Sequence, residues 1–476
     1  MPELFGDVVF SEPTSLFSSS TRLWMASKPR RSNRAPTCAP TAPVRTVSYP
    51  AARRPLIHSL MSDGVGNRLW LYSTRWATFG SNAHGRTRAT TPPARRICGA
   101  LVSDCIAGFT GETVAPSQML RGTCSAVASN DVTVLFATHP VYLEHLAGPR
   151  HPERPERLDA VLEGVRRADL GDAISALEPK PAARADLERV HPAWYLERIE
   201  AICAGGGGRL DSDTYASPAS FEAASLAAGA GLTAIDALRA GDGDAAFCAV
   251  RPPGHHATAI ESMGFCMISN VAVAAASLAD QGERVMIFDY DAHHGNGTQG
   301  VFYDDPRVLF VSCHQWPLYP GTGPVEETGA GKGAGTTVNI PLPAGTTGDV
   351  YLRAFDEIVA PVAQRFAPTW IIVSAGFDAH RDDPLTDMGL TAGDYGPLTA
   401  RVLSLVPAGR RIVMLEGGYD LDALTNCSSE VMRQLAGVSN GGSSRVAADV
   451  ERQTSAGPGS AAVDAVTRHW QQQGWL

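Results

Sequence analysis

The chain has 476 residues, and 44% of them are hydrophobic, which is enough for a large buried core. Its net charge of −9 is uneven, because residues 1 to 118 hold 14 Lys and Arg against 6 Asp and Glu, and the remainder holds 26 against 43. The acidic body lacks the basic face that phosphate binding requires, so we expect no direct nucleic-acid partner.

The nine cysteines form no C-x-x-C pair, and Cys248, Cys266 and Cys313 lie inside apolar runs. Reduced cysteines pack in such positions as small hydrophobic side chains, which indicates a reducing compartment and favours the cytoplasm. No apolar run approaches the roughly eighteen residues that a membrane span needs. We therefore expect a soluble protein with no membrane partner.

Residues 1 to 128 are rich in Ser, Thr, Arg, Pro and Ala, and they show neither helical nor strand periodicity. We predict a poorly ordered extension here. The Arg-rich, Ser-rich and acid-poor composition is also typical of an organelle transit peptide, although the segment is long for one. An upstream extension with a later start at Met119 is an equal alternative, so organelle targeting stays open.

Short apolar runs alternate with helical stretches from residue 129 to 440, and a tail (441 to 476) follows a Gly- and Ser-rich linker. The pattern begins at 132–139, and the strand candidates are 245–250, 284–291, 308–314, 336–342, 369–376 and 410–417. The helix candidates are 156–167, 221–239, 270–280, 349–365, 394–406 and, in the tail, 461–473. Continuous apolar strands that alternate with helices predict an α/β domain with a parallel sheet covered on both faces.

Polar clusters follow five of the strand candidates. In chain order they read RPPGHHA, DYDAHHGNG, SCHQWPLYPGTG, GFDAHRDDPL and EGGYD. Parallel sheets bind their ligands beyond the carboxyl ends of the strands. The five clusters are therefore expected to converge on one pocket.

A metal site is the first function that these clusters predict. Asp291 and His293 are two residues apart, and in an extended strand end their side chains point to the same side. Asp378 follows another strand and supplies a third ligand, which leaves an open position as a catalytic metal requires. Zinc is the expected ion, although two carboxylates and one imidazole would also accept iron(II).

Groups for proton transfer accompany the predicted metal site. His255 and His256 are adjacent, and pairing of one imidazole with a carboxylate such as Asp289 would make the two rings differ in basicity. Tyr419 lies on a glycine-rich loop, from which a phenol can donate to a polarised carbonyl. A metal, a base and a phenol together predict amide hydrolysis.

Seven motifs occur in an order that resembles the histone deacetylase and acetylpolyamine amidohydrolase family. They are HPERPERL, RPPGHHA, GFC, DYDAHHGNGTQ, PGTG, SAGFDAHRDDPL and LEGGYD. The resemblance covers about residues 132 to 437 and implies an arginase-deacetylase-like fold, a three-layer α/β/α domain with a mostly parallel sheet of about eight strands. It implies a zinc-dependent deacetylase that hydrolyses the amide of acetylated lysine side chains or related acetylated amines.

The resemblance also implies a role for each matching residue. The zinc ligands would be Asp291, His293 and Asp378. His256 would be the general base and acid that acts on a metal-activated water, and His255 would be its electrostatic partner, bonded to Asp289. Tyr419 would donate to the oxyanion.

Further residues match the walls of a substrate tunnel. Gly264, Phe265 and Tyr319 match the segment and the aromatic rings that enclose an extended acyl-lysine side chain. Arg157 matches an arginine that lines an acetate-release cavity. The resemblance also implies a structural potassium ion, bound by main-chain carbonyls near Asp289, Asp291, His293 and Cys313 and by Ser312.

Several positions depart from the family pattern or stay open. Asn296 replaces an aspartate of class I members and resembles the class II pattern, and His294 is interpreted as a neighbour of the ligands rather than a ligand. Asp387 falls where some members carry an acidic gate for cationic polyamines, but a solvated turn is the alternative. Asp211 and Asp213 are candidates for holding substrate at the rim.

Three alternative functions remain beside the lysine deacetylase. An acetylpolyamine amidohydrolase would share the site, and a catalytically silent acyl-amine-binding scaffold would share the fold. An arginase-like two-metal hydrolase needs further carboxylates, but His294 and Gly295 occupy those positions. The expected partner is an acetylated lysine peptide or protein, or an acetylated polyamine, and the oligomeric state stays open.

Overall fold

The computed structural model describes residues 132 to 438 and 451 to 476. The predicted N-terminal extension, residues 1 to 128, and most of the predicted linker lie outside these residues. The strands within them are β1 (Val134–Ala137), β2 (Ile174–Leu177), β3 (Gly208–Arg209), β4 (Tyr215–Ala216), β5 (Ala245–Cys248), β6 (Val285–Asp289), β7 (Val308–Gln315), β8 (Thr337–Leu342), β9 (Trp370–Ala375) and β10 (Arg411–Leu415).

The helices surround the sheet and are numbered in chain order. They are α1 (Glu156–Ala168), α2 (Arg184–Leu187), α3 (Ala193–Ala204), α4 (Ser220–Ala240), α5 (Asn270–Asp280), α6 (Asn296–Phe302), α7 (Gly348–Ala354), α8 (Ala360–Phe366), α9 (Ala392–Leu403), α10 (Leu421–Leu435) and α11 (Ser460–Gln472). A π-helical turn, Phe355–Val359, joins α7 to α8 without a break.

Eight strands form one sheet in the order β2-β1-β5-β10-β9-β6-β7-β8, and every neighbouring pair is parallel. All residues of β5, β6, β7 and β9 are buried, as continuous apolar strands covered on both faces must be. The helices α4 and α5 pack together against the central strands, whereas α1, α9 and α10 pack with one another. The predicted three-layer fold with about eight strands is confirmed.

The strand order explains how distant motifs meet. The four central strands are β5, β10, β9 and β6, and they are neighbours in space although β10 is the last strand of the sheet in sequence. The polar clusters that follow these four strands therefore leave the sheet side by side at its carboxyl edge.

Several features differ from the sequence predictions, among them the short elements β3, β4, α2 and α6, which were not predicted. The edge strand β2 was not predicted, because its half-exposed residues form no apolar run. The helices α3 and α10 were missed as well. We expected no apolar segment of membrane-spanning length, and this expectation is wrong for α4. By length and composition this helix could span a membrane, but 67% of its apolar 18-residue stretch is buried inside the domain. Its alanines and glycines pack in the core, so length and composition alone mislead here.

The last described segment, residues 451 to 476, packs on the same domain. Its helix α11 starts at Ser460, close to the predicted start at 461, and buries Val463, Val466 and Trp470. Arg353 of α7 contacts Asp464 of α11 at 2.5 Å. The segment therefore contributes side chains to the core.

Candidate active site

The three predicted metal ligands lie together at the ends of β6 and β9. Nδ1 of His293 is 2.9 Å from Oδ2 of Asp378 and 3.2 Å from Oδ1 of Asp291. One possible ligand atom from each residue lies within 4.8 Å of the others, and both carboxylates are fully buried. The structure thus places two oxygen donors and one nitrogen donor around a common point.

Backbone amides fix the orientation of both carboxylates. Asp291 accepts hydrogen bonds from the N–H of His293 at 2.9 Å and of Gly417 at 2.8 Å, and Asp378 accepts one from Ala292 at 2.7 Å. A Cβ on Gly417 would lie 2.5 Å from Asp378 Oδ2 and 2.6 Å from Asp291 Oδ2. Only glycine leaves room at this position for the two carboxylates.

The electrostatics of the three groups show that they fit a divalent cation. Burial, reinforced by the charge of Asp291, raises the pKa of Asp378 to about 8. Burial would also raise the pKa of Asp291, but His255 and His293 outweigh it and hold that pKa well below its usual value. A divalent cation bound by the same atoms would offset the repulsion between the two buried carboxylates. The O,O,N donor set suits zinc or iron(II).

A second group of possible ligands within the described residues consists of His380, Asp382 and Glu451. Nε2 of His380 lies 2.8 Å from Oε2 of Glu451, and Nη2 of Arg381 lies 3.6 Å from the other oxygen of Glu451. Glu451 is engaged by His380, by Arg381 and by the backbone N–H of Ala392, so these groups form a polar network instead of a metal site.

The two adjacent histidines have different partners. Nδ1 of His255 lies 3.0 Å from Oδ2 of Asp289, and Nδ1 of His256 lies 2.8 Å from the amide oxygen of Asn296. Burial would lower the pKa of His255, but Asp291 and Asp289 outweigh it and raise that pKa well above the usual value. Burial, together with His255, lowers the pKa of His256 well below the usual value. One imidazole is thus held charged and the other neutral.

Tyr419 follows β10 and is buried beside Arg157. The guanidinium carbon of Arg157 lies 4.9 Å from the centre of the Tyr419 ring, and its nitrogens donate to the carbonyls of Gly418 at 2.6 Å and Glu416 at 2.5 Å. The backbone N–H of Tyr419 donates to Asp383 at 2.7 Å. Burial raises the pKa of Tyr419 well above its usual value, so the phenol keeps its proton and can donate it in a hydrogen bond.

The two predicted tunnel rings flank this cluster. The ring of Phe265 lies 5.7 Å from that of Tyr419, and the ring of Tyr319 lies 5.1 Å from that of His256 and 6.3 Å from that of His293. Tyr319 is 38% exposed, whereas both histidines are buried, so Tyr319 lies toward solvent. Phe265 is half-buried and Tyr319 reaches the surface, so the predicted passage for a substrate side chain would run past these two rings to the buried polar groups.

Asp213 supports one wall of that passage. Its carboxylate accepts a hydrogen bond from the N–H of Gly264 at 3.0 Å, and the hydroxyl of Thr214 accepts one from Phe265. Gly264 has φ +55°, and a Cβ on it would lie 2.3 Å from the ring of His256. Glycine is therefore required where the wall passes the imidazole. Asp213, predicted as a rim residue, binds the wall itself.

Other predicted residues lie farther from the cluster or in separate networks. Asp387 is exposed on the loop after β9, where its N–H donates to the Gln315 side chain at 2.8 Å. Both ring nitrogens of His294 are engaged, by Thr322 at 2.7 Å and Gln299 at 2.9 Å, as expected for a residue that is not a ligand. The gate role of Asp387 stays a prediction.

The predicted potassium site also stays a prediction. Asp289, Ser312 and Cys313 are all buried at the ends of β6 and β7, and Asp289 and Ser312 are paired in register. The hydroxyl of Ser312 lies 3.0 Å from Nδ1 of His314.

The sequence reasoning missed several buried charged residues. Glu416 accepts hydrogen bonds from the backbone N–H groups of Gly254 at 2.7 Å and His255 at 3.1 Å. Glu153 forms a fully buried ion pair with Arg251 at 2.5 Å. These residues lie within the motifs EGGYD, HPERPERL and RPPGHHA. A charged residue next to Pro or Gly in such a motif was the signal that could have identified them.

Comparisons with known proteins match the chain to one family. A family profile for the histone deacetylase domain matches residues 151–435. The chain is 43% identical over 306 residues to a probable deacetylase of Archaeoglobus fulgidus, and the match covers 63% of this chain and 85% of that protein. It is 40% identical over 298 residues to a histone deacetylase-like amidohydrolase of Pseudomonas aeruginosa, and the match covers 61% of this chain and 78% of that protein.

A plant relative and a solved structure extend the match. Histone deacetylase 10, chloroplastic, of Oryza sativa subsp. japonica is 35% identical over 401 residues, which covers 78% of this chain and 90% of that protein. The crystal structure of the HDA15 HD domain has a TM-score of 0.65 and 32% identity, and the match covers 72% of this chain and 94% of that one. Fold and sequence together define a hydrolase of the deacetylase and amidohydrolase class. The chain belongs to the histone deacetylase family, which confirms the resemblance seen in its motifs.

Proposed function

We propose that this protein is a zinc-dependent deacetylase that hydrolyses the amide of acetylated lysine side chains or of related acetylated amines. The observation that carries the proposal is the convergence of six predicted residues at the carboxyl ends of four adjacent central strands. These are the ligand set of Asp291, His293 and Asp378, the pair His255 and His256, and the phenol of Tyr419.

The metal would be held by the three buried ligand groups, whose donor set and orientation fit it. A zinc ion bound there supplies Lewis acidity toward the acetyl carbonyl and toward a water molecule. The fixed carboxylates keep the ion at the inner end of the passage, so that only the terminal amide of an extended side chain reaches it. The rings of Phe265 and Tyr319 would enclose the unbranched methylene stem.

His256 is placed to accept the proton of the attacking water. The amide oxygen of Asn296 can only accept a hydrogen bond, so Nδ1 of His256 must carry the proton and Nε2 is left as the basic atom. Burial, together with the charge of the Asp289-paired His255, keeps the pKa of His256 low, and a low pKa makes the resulting imidazolium a strong acid. His256 can then protonate the amine as the carbon–nitrogen bond breaks, which yields acetate and the free amine.

Tyr419 is placed to stabilise the developing charge. Its O–H would donate to the oxygen that becomes negative when water attacks the carbonyl carbon. Arg157 and Asp383 hold the loop of Tyr419 from two sides, through the Gly418 carbonyl and the Tyr419 N–H. The phenol therefore needs little reorganisation when the charge forms.

The test is acetate release from an acetyl-lysine peptide and from an acetylated polyamine by the purified full chain. We expect one zinc per chain, loss of activity on chelation and recovery when zinc is returned. The ratio of the two rates identifies the substrate class, with the acetylpolyamine amidohydrolase as the alternative. Bound zinc without acetate release from either compound would favour the silent scaffold and contradict the proposal.

A further inference from the structure

The loop between β9 and α9 connects both halves of the candidate site. It includes Asp378, a proposed metal ligand, and Asp383, which accepts a hydrogen bond from the backbone N–H of Tyr419 at 2.7 Å. Thus one loop positions a ligand and the phenol, and any residue that fixes the loop influences both.

His380 lies at the centre of this loop. Its N–H donates to the carbonyl of Phe377 at 3.3 Å, and its carbonyl accepts the N–H of Asp383 at 2.9 Å. These two turns place Asp378 on one side of His380 and Asp383 on the other. His380 also pairs with Leu390 in a parallel bridge at the base of the loop. The position of His380 therefore determines the direction in which both carboxylates leave the loop.

The side chain of His380 is held by a residue from the C-terminal segment. The N–H of Asp382 donates to Nδ1 of His380 at 3.3 Å, so Nε2 carries a proton, which it donates to Glu451 at 2.8 Å. The same oxygen of Glu451 accepts the N–H of Ala392, the first residue of α9, at 3.1 Å. Glu451 thus joins the beginning of the loop to the helix at its end.

The fit of Glu451 against α9 is close. A Cβ on Gly393 would lie 2.0 Å from the carbonyl oxygen of Glu451, so this glycine is required for the approach. The hydroxyl of Thr391 donates to the carbonyl of the next residue, Arg452, at 2.7 Å. A carboxylate at the first turn of a helix is also favoured by the helix dipole.

We propose that Glu451 is a positioning residue for the candidate active site, because it holds His380 and thereby fixes the loop that carries Asp378 and Asp383. The proposal rests on the proposed function for its effect on turnover. Glu451 lies outside residues 151–435, which match the family profile. A segment beyond the family domain therefore completes the support of the metal ligand.

Attachment of the C-terminal segment does not depend on Glu451 alone. Val463, Val466 and Trp470 of α11 are buried in the core, and Asp464 contacts Arg353 at 2.5 Å. The segment should therefore remain bound in a Glu451 variant. This separation allows loss of the His380 contact to be distinguished from loss of the whole segment.

The experiment compares Glu451→Ala and Glu451→Gln with Asp464→Asn, which removes an ion pair that the same segment makes with Arg353 of α7. Zinc affinity is measured by competition with a chromophoric chelator, and kcat and KM are measured with an acetyl-lysine peptide. Partners that orient metal ligands are worth roughly 10–100-fold in affinity or activity, so for Glu451→Ala we expect about tenfold weaker zinc binding and lower kcat at unchanged KM. Glu451→Gln, which keeps an acceptor for His380, should recover part of the loss.

Hydrogen exchange of the metal-free protein provides a second measurement. Glu451→Ala should increase exchange in residues 378 to 391, and Asp464→Asn should leave it unchanged. Wild-type zinc affinity and kcat in Glu451→Ala, or equal losses in Asp464→Asn, would overturn the proposal. A wild-type protein without zinc binding or acetate release would overturn the proposed function instead, and the exchange measurement would still decide whether Glu451 fixes the loop.

Discussion

The interior of the candidate site and its rim are built differently. In the interior, polar groups contact partners from other strand ends, as His255 contacts Asp289 and Asp291 contacts the N–H of Gly417. At the rim, Tyr319 is 38% exposed, and Asp387 is on the surface. The interior is buried and its charged groups are paired across strand ends, whereas the rim faces solvent.

This difference indicates where the reaction and the substrate are determined. Buried charges are tolerated only when they are paired or bind a metal, so the interior residues constrain one another closely. Exposed side chains have no such constraint, and single contacts there are weak. Changes in the interior should therefore affect the reaction with every substrate, and changes at the rim should affect only the choice among substrates.

The largest effect is expected from Asp378→Asn. The amide is neutral, so Asp291 would be left as the only negative ligand to balance the charge of a divalent cation. We expect loss of zinc binding and a fall in kcat/KM greater than the about 10²–10³-fold that removal of one oxyanion donor costs. Metal analysis and acetate release on both substrate classes are the measurements. Asp304→Asn, at an exposed position, is the control and should retain both properties.

The next effect is expected from Tyr419→Phe. The change removes the O–H but keeps the ring between Arg157 and Phe265, so the fold and the zinc content should be retained. We expect kcat to fall by about 10²–10³-fold, as for the loss of an oxyanion donor. Tyr303→Phe, at the end of α6, serves as the control. A zinc-loaded Tyr419→Phe enzyme with the wild-type rate would exclude the phenol from the mechanism.

A smaller and more specific effect is expected from Asn296→Asp. A carboxylate within hydrogen-bond distance of His256 Nδ1 stabilises the charged imidazole, and an opposite charge at such distance shifts a pKa by about 1–3 units. The base acts only when neutral, and it is neutral above its pKa. The acid limb of the kcat/KM profile should therefore move to higher pH, with less activity below it.

Asn296→Ala is the matched control for this prediction. It removes the acceptor for His256 Nδ1 without adding a charge, so the rate should fall without an upward shift of the acid limb. An unshifted profile for Asn296→Asp would show that His256 is not the group whose protonation limits the rate.

The interior could largely be predicted from the sequence, for a physical reason. Ligands beyond strand ends must follow apolar runs directly, so Asp291, His293 and Asp378 were identifiable by position. The pairing of His255 with Asp289 was identifiable as well, because a buried imidazole beside a buried strand end needs a charged or polar partner. The order of the strands was not readable, since β10 inserts between β5 and β9 without any local signal.

The supporting residues could not be assigned from the sequence. Glu416 and Asp383 act through backbone N–H groups of other loops, and Glu451 comes from a segment with no motif. Such contacts depend on how separate loops meet in space, which a single sequence does not encode locally. The roles of the rim residues could not be assigned either. The direction in which an exposed side chain such as Asp387 points produces no periodic pattern in the sequence.

The smallest effect is expected from Asp387→Asn at the rim. If its carboxylate attracts the free amine of an acetylated polyamine, kcat/KM for that substrate should fall by no more than about fivefold, the size typical of an exposed ion pair. An acetyl-lysine peptide without further cationic groups should be hydrolysed at the wild-type rate, because the interior is unchanged. Raising the ionic strength should reduce the difference between wild type and variant, since exposed charges are screened. Equal losses on both substrates would place Asp387 with the interior residues and remove the distinction between interior and rim.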